Sequence, residues 1–383
     1  MTNKQEKMIC NTFGISKLKP FQKKVITDLS DGRDVLGLAR TSEGQSICFL
    51  SMITLHPNGL LIGILPTVAL MRDLVQRCED NKIRAGCLHS ENRENTNTIE
   101  QLTHRKLHAL FVAPERLSDP RLWKAIQKNS VHTVVVDEVH CLTEWGNEFR
   151  PMYRNIGKFI KDLPNSPVVA AFSATVMPDD IPYIVKSLHM KNPVVHIGKL
   201  KRSNLSLKKA FVKNDAVRYA KVRKAVQKYG SKGKIVIYCT RVCDVEDMRD
   251  FLIEDCDISA SAIALCHSRL SNRAEQEARF RSGEAHIMIA TSAFGMGVNI
   301  SDIHLIIVSQ LPFSVASFYQ MAGDGERAKA LLLWNDADFQ MNLDIISDMD
   351  DRAVEAVNEL YAICESSDDL HDAVIGCFAK GGV

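Results

Sequence analysis

Short β-branched runs alternate with longer amphipathic segments along most of the chain. Runs at 34–38, 59–65, 109–112, 131–136 and 168–172 predict strands. A second series at 234–238, 262–267, 286–290, 305–308 and 330–333 repeats the pattern, and segments such as 68–81 and 242–254 predict helices between the strands. Strand–helix alternation of this kind predicts parallel sheets with helices on both faces. The two series divide near 192–206. They predict an α/β chain with two doubly wound parallel-sheet domains in tandem, at 1–197 and 198–345. The remainder, 346–383, is acidic and then helical, and is too short for a domain. Ligands of open parallel sheets bind at the carboxyl ends of the strands, where most of the unusual polar motifs fall.

Bulk composition narrows this picture only a little. A length of 383 residues accommodates two domains. The net charge of +2 provides no global basic field, so a polyanion site must be local. The 11 cysteines are scattered and form no CxxC pair, which fits reduced thiols better than a disulfide framework. The polar start over residues 1–8 lacks the apolar core of a signal peptide, and no apolar run approaches a membrane span. The expectation is a soluble intracellular protein, nuclear in a eukaryote and cytoplasmic in a bacterium.

The candidate chemistry starts at Asp137-Glu138-Val139-His140, which closes the apolar run 134–136. Two adjacent carboxylates on a strand end suit magnesium binding through the first acid and action on an attacking water through the second. An exposed acidic turn would look the same in isolation. Upstream, the strand at 34–38 runs through Thr41-Ser42-Glu43-Gly44-Gln45-Ser46 into an apolar helix start. Strand, small-residue loop and helix make a phosphate cradle from backbone N–H groups, with Ser46 able to reach magnesium. Gln45 stands where such loops carry Lys, and Gln cannot supply a positive charge. Phe13, Lys19 and Gln22 precede the loop and suit adenine stacking and hydrogen bonding, or simply a packed helix start. Trp145, Phe149 and Arg150 follow the acidic pair in a Gly-containing loop, suited to stacking on unpaired bases and contacting phosphate. A loop pinned by two buried aromatics is the alternative. Ser173-Ala174-Thr175 ends another strand. Thr291 opens a small-residue loop through Gly295 and Gly297 that could hold a nucleic-acid phosphate.

The order of these pieces resembles RecQ-type DNA helicases over about residues 11–345. Phe13-Gly14 with Gln22 resembles the family's adenine-reading motif, and Thr41 to Ser46 falls at its phosphate loop. Val112-Ala113-Pro114-Glu115-Arg116-Leu117 is close to its motif Ib. The acidic box with the loop Trp145-Gly146 to Phe149-Arg150-Pro151 is close to diagnostic. Ser173 to Thr175, Arg202 with Asn204, and Ala293 to Gly297 continue the match, and Tyr319-Gln320 opens motif VI. The resemblance implies tandem RecA-like domains, ATP and magnesium as cofactors, and 3′ to 5′ unwinding. It implies DNA as partner, single-stranded or at junctions with duplex, with RNA as the alternative. It assigns catalytic roles to Asp137, Glu138, His140 and Gln320. Phe13, Lys19, Gln22, Thr41, Ser42, Glu43, Gly44, Gln45 and Ser46 would bind nucleotide, with Ser46 and Asp137 on magnesium. Trp145, Phe149, Arg150, Arg116 and Thr291 would bind DNA.

The departures bear on rate. Gln45 replaces the phosphate-loop Lys, and motif VI passes from Gly323 directly to Asp324-Gly325, which reads as a loss of about four residues, both arginines included. A gapless reading would put Arg327 at the arginine-finger position. Removing one preorganised contact to a developing anion costs roughly 10²–10³ in rate, and an arginine finger is worth about 10³–10⁵. The expectation is weakened turnover, with a catalytically inactive nucleic-acid-binding pseudohelicase as the alternative. No counterpart of the family's zinc module is expected in these residues. Cys364 and Cys377 are two thiols, too few for a four-ligand site, so no zinc is expected.

Overall fold

The computed structural model describes residues 1–40, 43–90, 92, 94–143, 151–202, 204–230, 232–292, 294, 302–323, 328–347 and 351–379. Thr41, Ser42, Trp145, Gly146, Phe149, Arg150, Ala293, Gly295, Met296, Gly297, Asp324, Gly325 and Arg327 lie outside the described residues. The chain forms two compact units, one reaching Leu200 and the other starting at Lys201. Among the described residues no helix is long and apolar enough to cross a membrane.

The first unit opens with helices α1 (Asn3–Phe13) and α2 (Pro20–Ser30), then strand β1 (Val35–Leu38) and helix α3 (Gln45–Leu55). There follow β2 (Leu60–Ile64), α4 (Val68–Asp80), β3 (Ala85–Leu88), α5 (Asn95–Thr103), β4 (Ala109–Val112) and α6 (Pro120–Ile126). β5 (Val131–Val136), α7 (Arg154–Asp162), β6 (Val168–Ser173), α8 (Ile181–Ser187) and β7 (Val194–Ile197) complete it. The seven strands form one sheet in the order β3-β4-β2-β5-β6-β1-β7, every pairing parallel. β1, β2 and β4 are buried at every position, as expected for strands with helices on both faces. α3 is buried through its middle from Ile47 to Ile53, so the segment after the candidate phosphate loop is a core helix with little freedom to move. The Asp34 carboxylate accepts from the N–H groups of Val169 (2.8 Å) and Lys191 (2.6 Å), tying the start of β1 to β6 and to the segment before β7.

The second unit runs β8 (Ser206–Phe211), α9 (Asp215–Tyr229), β9 (Lys234–Tyr238), α10 (Val242–Glu254), β10 (Ile263–Cys266), α11 (Arg273–Ser282) and β11 (Ile287–Ala290). It continues through β12 (Ile303–Val308), α12 (Val315–Met321), β13 (Lys329–Trp334) and α13 (Asp336–Ile345). Its sheet has the order β10-β11-β9-β12-β13-β8, again all parallel. Two tail helices, α14 (Asp351–Glu365) and α15 (Leu370–Ala379), pack on this unit. Lys209 Nζ on edge strand β8 donates to the carbonyls of Ile363 (2.6 Å) and Ser366 (2.5 Å), so a side chain of the edge strand satisfies the carbonyls left at the end of α14.

Candidate nucleotide and nucleic-acid site

β1 and β6 are neighbours, so the turn after Leu38 and the residues after Ser173 lie side by side at the carboxyl edge of the first sheet. Gly44 has φ +76°, a left-handed backbone that favours glycine, and a Cβ there would lie 2.5 Å from Gln22 Nε2. That close approach is used. Gln22 is buried on α2, donates from Nε2 to Gly44 O (3.1 Å) and accepts the Lys19 N–H at Oε1 (2.8 Å). Gln22 and the loop after β1 are thereby held in one network. Phe13 is buried at the end of α1 in the core with Ile9 and Leu18.

Gln45 turns into the fold. Its Nε2 donates to Ala39 O (2.5 Å) and Ser173 O (3.3 Å), linking the ends of β1 and β6. Glu43 is buried, and Arg40 Nη2 reaches its carboxylate at 3.4 Å. Ser46 Oγ accepts from Arg77 Nη1 of α4 at 2.7 Å. Residue spacing gave no sign of this arginine as part of the loop. The available signal was its place on α4: Met71, Leu74 and Cys78 form the buried face, and Arg77 adjoins it, one residue before Cys78.

At the end of β5, Asp137 N donates to Ile64 O (3.0 Å), and the Glu138 N–H donates to Asp137 Oδ1 (3.0 Å). Burial and the neighbouring Glu138 charge push the Asp137 carboxyl up to about 7, opposed by the Glu138 N–H and by His140. Glu138 has φ +50°, a left-handed conformation that costs a non-glycine residue about 1–2 kcal/mol. The following 3₁₀ turn, residues Val139–Leu142, buries His140. His140 Nδ1 lies 2.8 Å from Ser173 Oγ and 3.2 Å from Glu138 Oε2. Ser173 Oγ also accepts from Thr175 N (3.1 Å), so the acidic pair, His140 and the Ser173-Ala174-Thr175 strand end form one connected group.

Other candidates stand elsewhere. Arg116 ends a 3₁₀ turn after β4 and pairs with Asp119 at 2.8 Å. Thr291 follows β11 and is buried, and Gln320 lies on α12, both in the second unit. There Arg202 is buried, donating to Tyr319 O (3.0 Å) and Gly323 O (2.6 Å), and so caps the end of α12.

Residues 19–181 match the DEAD/DEAH box helicase family and residues 217–329 match the helicase conserved C-terminal domain. The ATP-dependent DNA helicase RecQ of Bacillus subtilis is 28% identical over 395 residues, covering 99% of this chain and 65% of that protein. RecQ of Pasteurella multocida is 30% identical over 338 residues, covering 85% of this chain and 51% of its own length. The chain belongs to the RecQ helicase family. It spans about half to two thirds of the length of these RecQ relatives. The solved structure of S. cerevisiae Dbp5 bound to RNA and ADP BeF3 superposes with a TM-score of 0.69 at 14% identity, over 95% of this chain and 98% of that one. That likeness is one of fold, and agrees with tandem RecA-like domains in this RecQ-family chain.

Proposed function

We propose that this chain is a RecQ-type core that binds ATP with magnesium, and DNA that is single-stranded or at a junction with duplex. It would move 3′ to 5′, with ATP hydrolysis slow by the standard of the family. The observation that carries this reading is the connected group Asp137–Glu138–His140–Ser173 beside a phosphate loop whose lysine position, Gln45, points inward. The first domain, about 1–197, would supply the nucleotide site, the second, 198–345, would supply Gln320 and Thr291, and 346–383 would be a short helical tail. Asp137 and Ser46 are hard oxygen donors and suit magnesium, which commonly takes one or two protein ligands beside phosphate and water. Bound magnesium would neutralise phosphate charge.

Lys19 and Gln22 would hold the base, with Phe13 packing behind them. The N–H groups of Thr41, Ser42, Glu43, Gly44 and Gln45 would face phosphate, Glu138 would orient the attacking water, and His140 would transmit its position to Ser173. Arg116 and Thr291 would contact nucleic-acid phosphate, and Trp145, Phe149 and Arg150 would meet the bases. Phosphate release measured with and without single-stranded DNA tests the motor. DNA should raise a slow basal rate. Fluorescence anisotropy should show binding to labelled single strands that weakens with salt. The second reading, an inactive pseudohelicase, draws on the two carbonyl bonds that hold the Gln45 amide. It is selected by DNA binding without any DNA-stimulated turnover. Absence of both would exclude the two readings together.

The buried Glu43 carboxylate opposes a polyphosphate in the loop. Two like charges about 6 Å apart at an effective dielectric of about 20 repel by roughly 3 kcal/mol. Part of this is offset by Arg40, so Glu43→Gln is expected to tighten ATP binding by about tenfold. Adenosine, which has no phosphate, should bind Glu43→Gln as it binds the unmodified chain. Titration of a fluorescent ATP analogue, with ATP and adenosine as competitors, reads both.

A further inference from the structure

We propose that Arg77, on α4, is the cation of the phosphate site in this chain and supplies from a neighbouring helix the positive charge that Gln45 lacks. The inference rests on the nucleotide-binding reading above and names the residue that makes phosphate binding possible. Three observations support it.

First, the residue at the usual lysine position is committed elsewhere. The Gln45 amide donates to two main-chain carbonyls, Ala39 O and Ser173 O, and is neutral. Second, Arg77 reaches the first turn of the loop's own helix. Its Nη1 donates to Ser46 Oγ at 2.7 Å, so the guanidinium is bonded directly to a side chain at the start of α3. Third, no counter-ion for this charge is found among the described residues. Among the described residues no carboxylate lies within ion-pair distance of Arg77. Its sequence neighbour Cys78 is buried and its thiol is pushed up to about 12, so it carries no charge near neutral pH. Burial holds the Arg77 guanidinium below its ordinary value, opposed in part by Cys78.

Arg40 and Glu43 face each other at 3.4 Å and offset one another, whereas the charge of Arg77 is carried to Ser46 at the start of α3. A guanidinium has five donors in a fixed fork matched to phosphate oxygens, and one protein hydroxyl uses few of them. The ligand class that fits is a nucleoside di- or triphosphate, with its phosphates over the start of α3, where donors of the Arg77 guanidinium not used by Ser46 would meet them.

The test uses the full chain, a fluorescent ATP analogue, and ATP and adenosine as competitors. Arg77→Gln is expected to weaken ATP binding by about 10–100-fold, the loss of one charge-assisted bond. Adenosine binding should be unchanged, and Arg77→Lys should recover most of the loss. The inference is overturned if Arg77→Gln binds ATP within twofold of the unmodified chain. It is also overturned if ATP and adenosine affinity fall together, which is what a purely structural role would give. If the unmodified chain binds neither ligand, the nucleotide reading itself fails. If the unmodified chain binds ATP and only the Arg77 variants are indistinguishable from it, that reading stands and Arg77 alone is excluded.

Discussion

Glu138→Gln should lower ATP turnover by about 10²–10⁴-fold, the usual worth of a positioned general base or water-orienting carboxylate. The substitution keeps shape and removes charge, so packing around the 3₁₀ turn Val139–Leu142 is retained. The geometry explains why the loss should be large. Glu138 sits at φ +50°, a conformation that L residues adopt only when their surroundings enforce it. Here the enforcement comes from both sides. Its N–H donates to Asp137 Oδ1 at 3.0 Å, and its Oε2 meets His140 Nδ1 at 3.2 Å. His140 is in turn fixed by Ser173 Oγ at 2.8 Å. A carboxylate fixed through three residues is already oriented for its task, and that orientation is where electrostatic catalysis gains most. Gln at this position keeps a hydrogen bond to His140 but cannot draw a proton from water. Phosphate release under single-turnover conditions, with single-stranded DNA saturating, is the measurement. ATP affinity should move by less than about threefold, because Glu138 is not asked to bind phosphate. A rate within fivefold of the unmodified chain would remove Glu138 from the catalytic group.

Much of this architecture is legible in the sequence because parallel strands between two helical layers must be apolar throughout. The runs at 109–112, 131–136 and 234–238 coincide with β4, β5 and β9 as observed. Three strands escape that logic, and each is a sheet edge. β3 reads Ala-Gly-Cys-Leu and has no β-branched residue, β7 alternates half-buried with exposed positions, and β8 carries two lysines. An edge strand has a neighbour on one side only, so it need not be an unbroken apolar run. Val195, Ile197 and Phe211 on these edges are exposed. The other edge, β10, was legible because it reads as an apolar run, Ile-Ala-Leu-Cys, and three of its four residues are buried.

The same division runs through the site. Residues adjacent in sequence, such as Asp137 and Glu138, announce themselves by pattern. Contacts between distant segments do not. Nothing in local spacing shows that Gln45 would bond to Ser173, or that Arg77 would reach Ser46. Gln45 is legible as a lost charge but not as an inward-turned amide. The difference arises because the space a lysine would occupy is set by β1 and β6 together, and their adjacency is a property of strand order.

Asp137→Asn is expected to act in opposite directions on stability and function. In the metal-free chain the Asp137 carboxyl is raised from an ordinary 3.8 to about 7 by burial and by Glu138. Between those two values the folded chain holds a proton that the unfolded chain has released. Stability attributable to this group is therefore fully present below about pH 4 and lost as pH rises through about 7. At about 1.36 kcal/mol per decade of proton affinity the ceiling is on the order of 4 kcal/mol. Asp137 is only half-buried, and solvent screening brings the expected penalty nearer to about 1–2 kcal/mol. Asn retains an oxygen to accept the Glu138 N–H and carries no charge. In EDTA at pH 8, Asp137→Asn should therefore melt about 3–6 °C above the unmodified chain, on the usual scale for a domain of this size. At pH 4 the two should coincide. Magnesium with a non-hydrolysed ATP analogue should stabilise the unmodified chain at pH 8 and leave Asp137→Asn almost unaffected, and turnover in the variant should be lost. That outcome would mark the end of β5 as a site kept for function at the expense of stability. Equal melting of the two proteins across the whole pH range would show instead that Asp137 is an ordinary solvated carboxylate, and would remove it from the magnesium site.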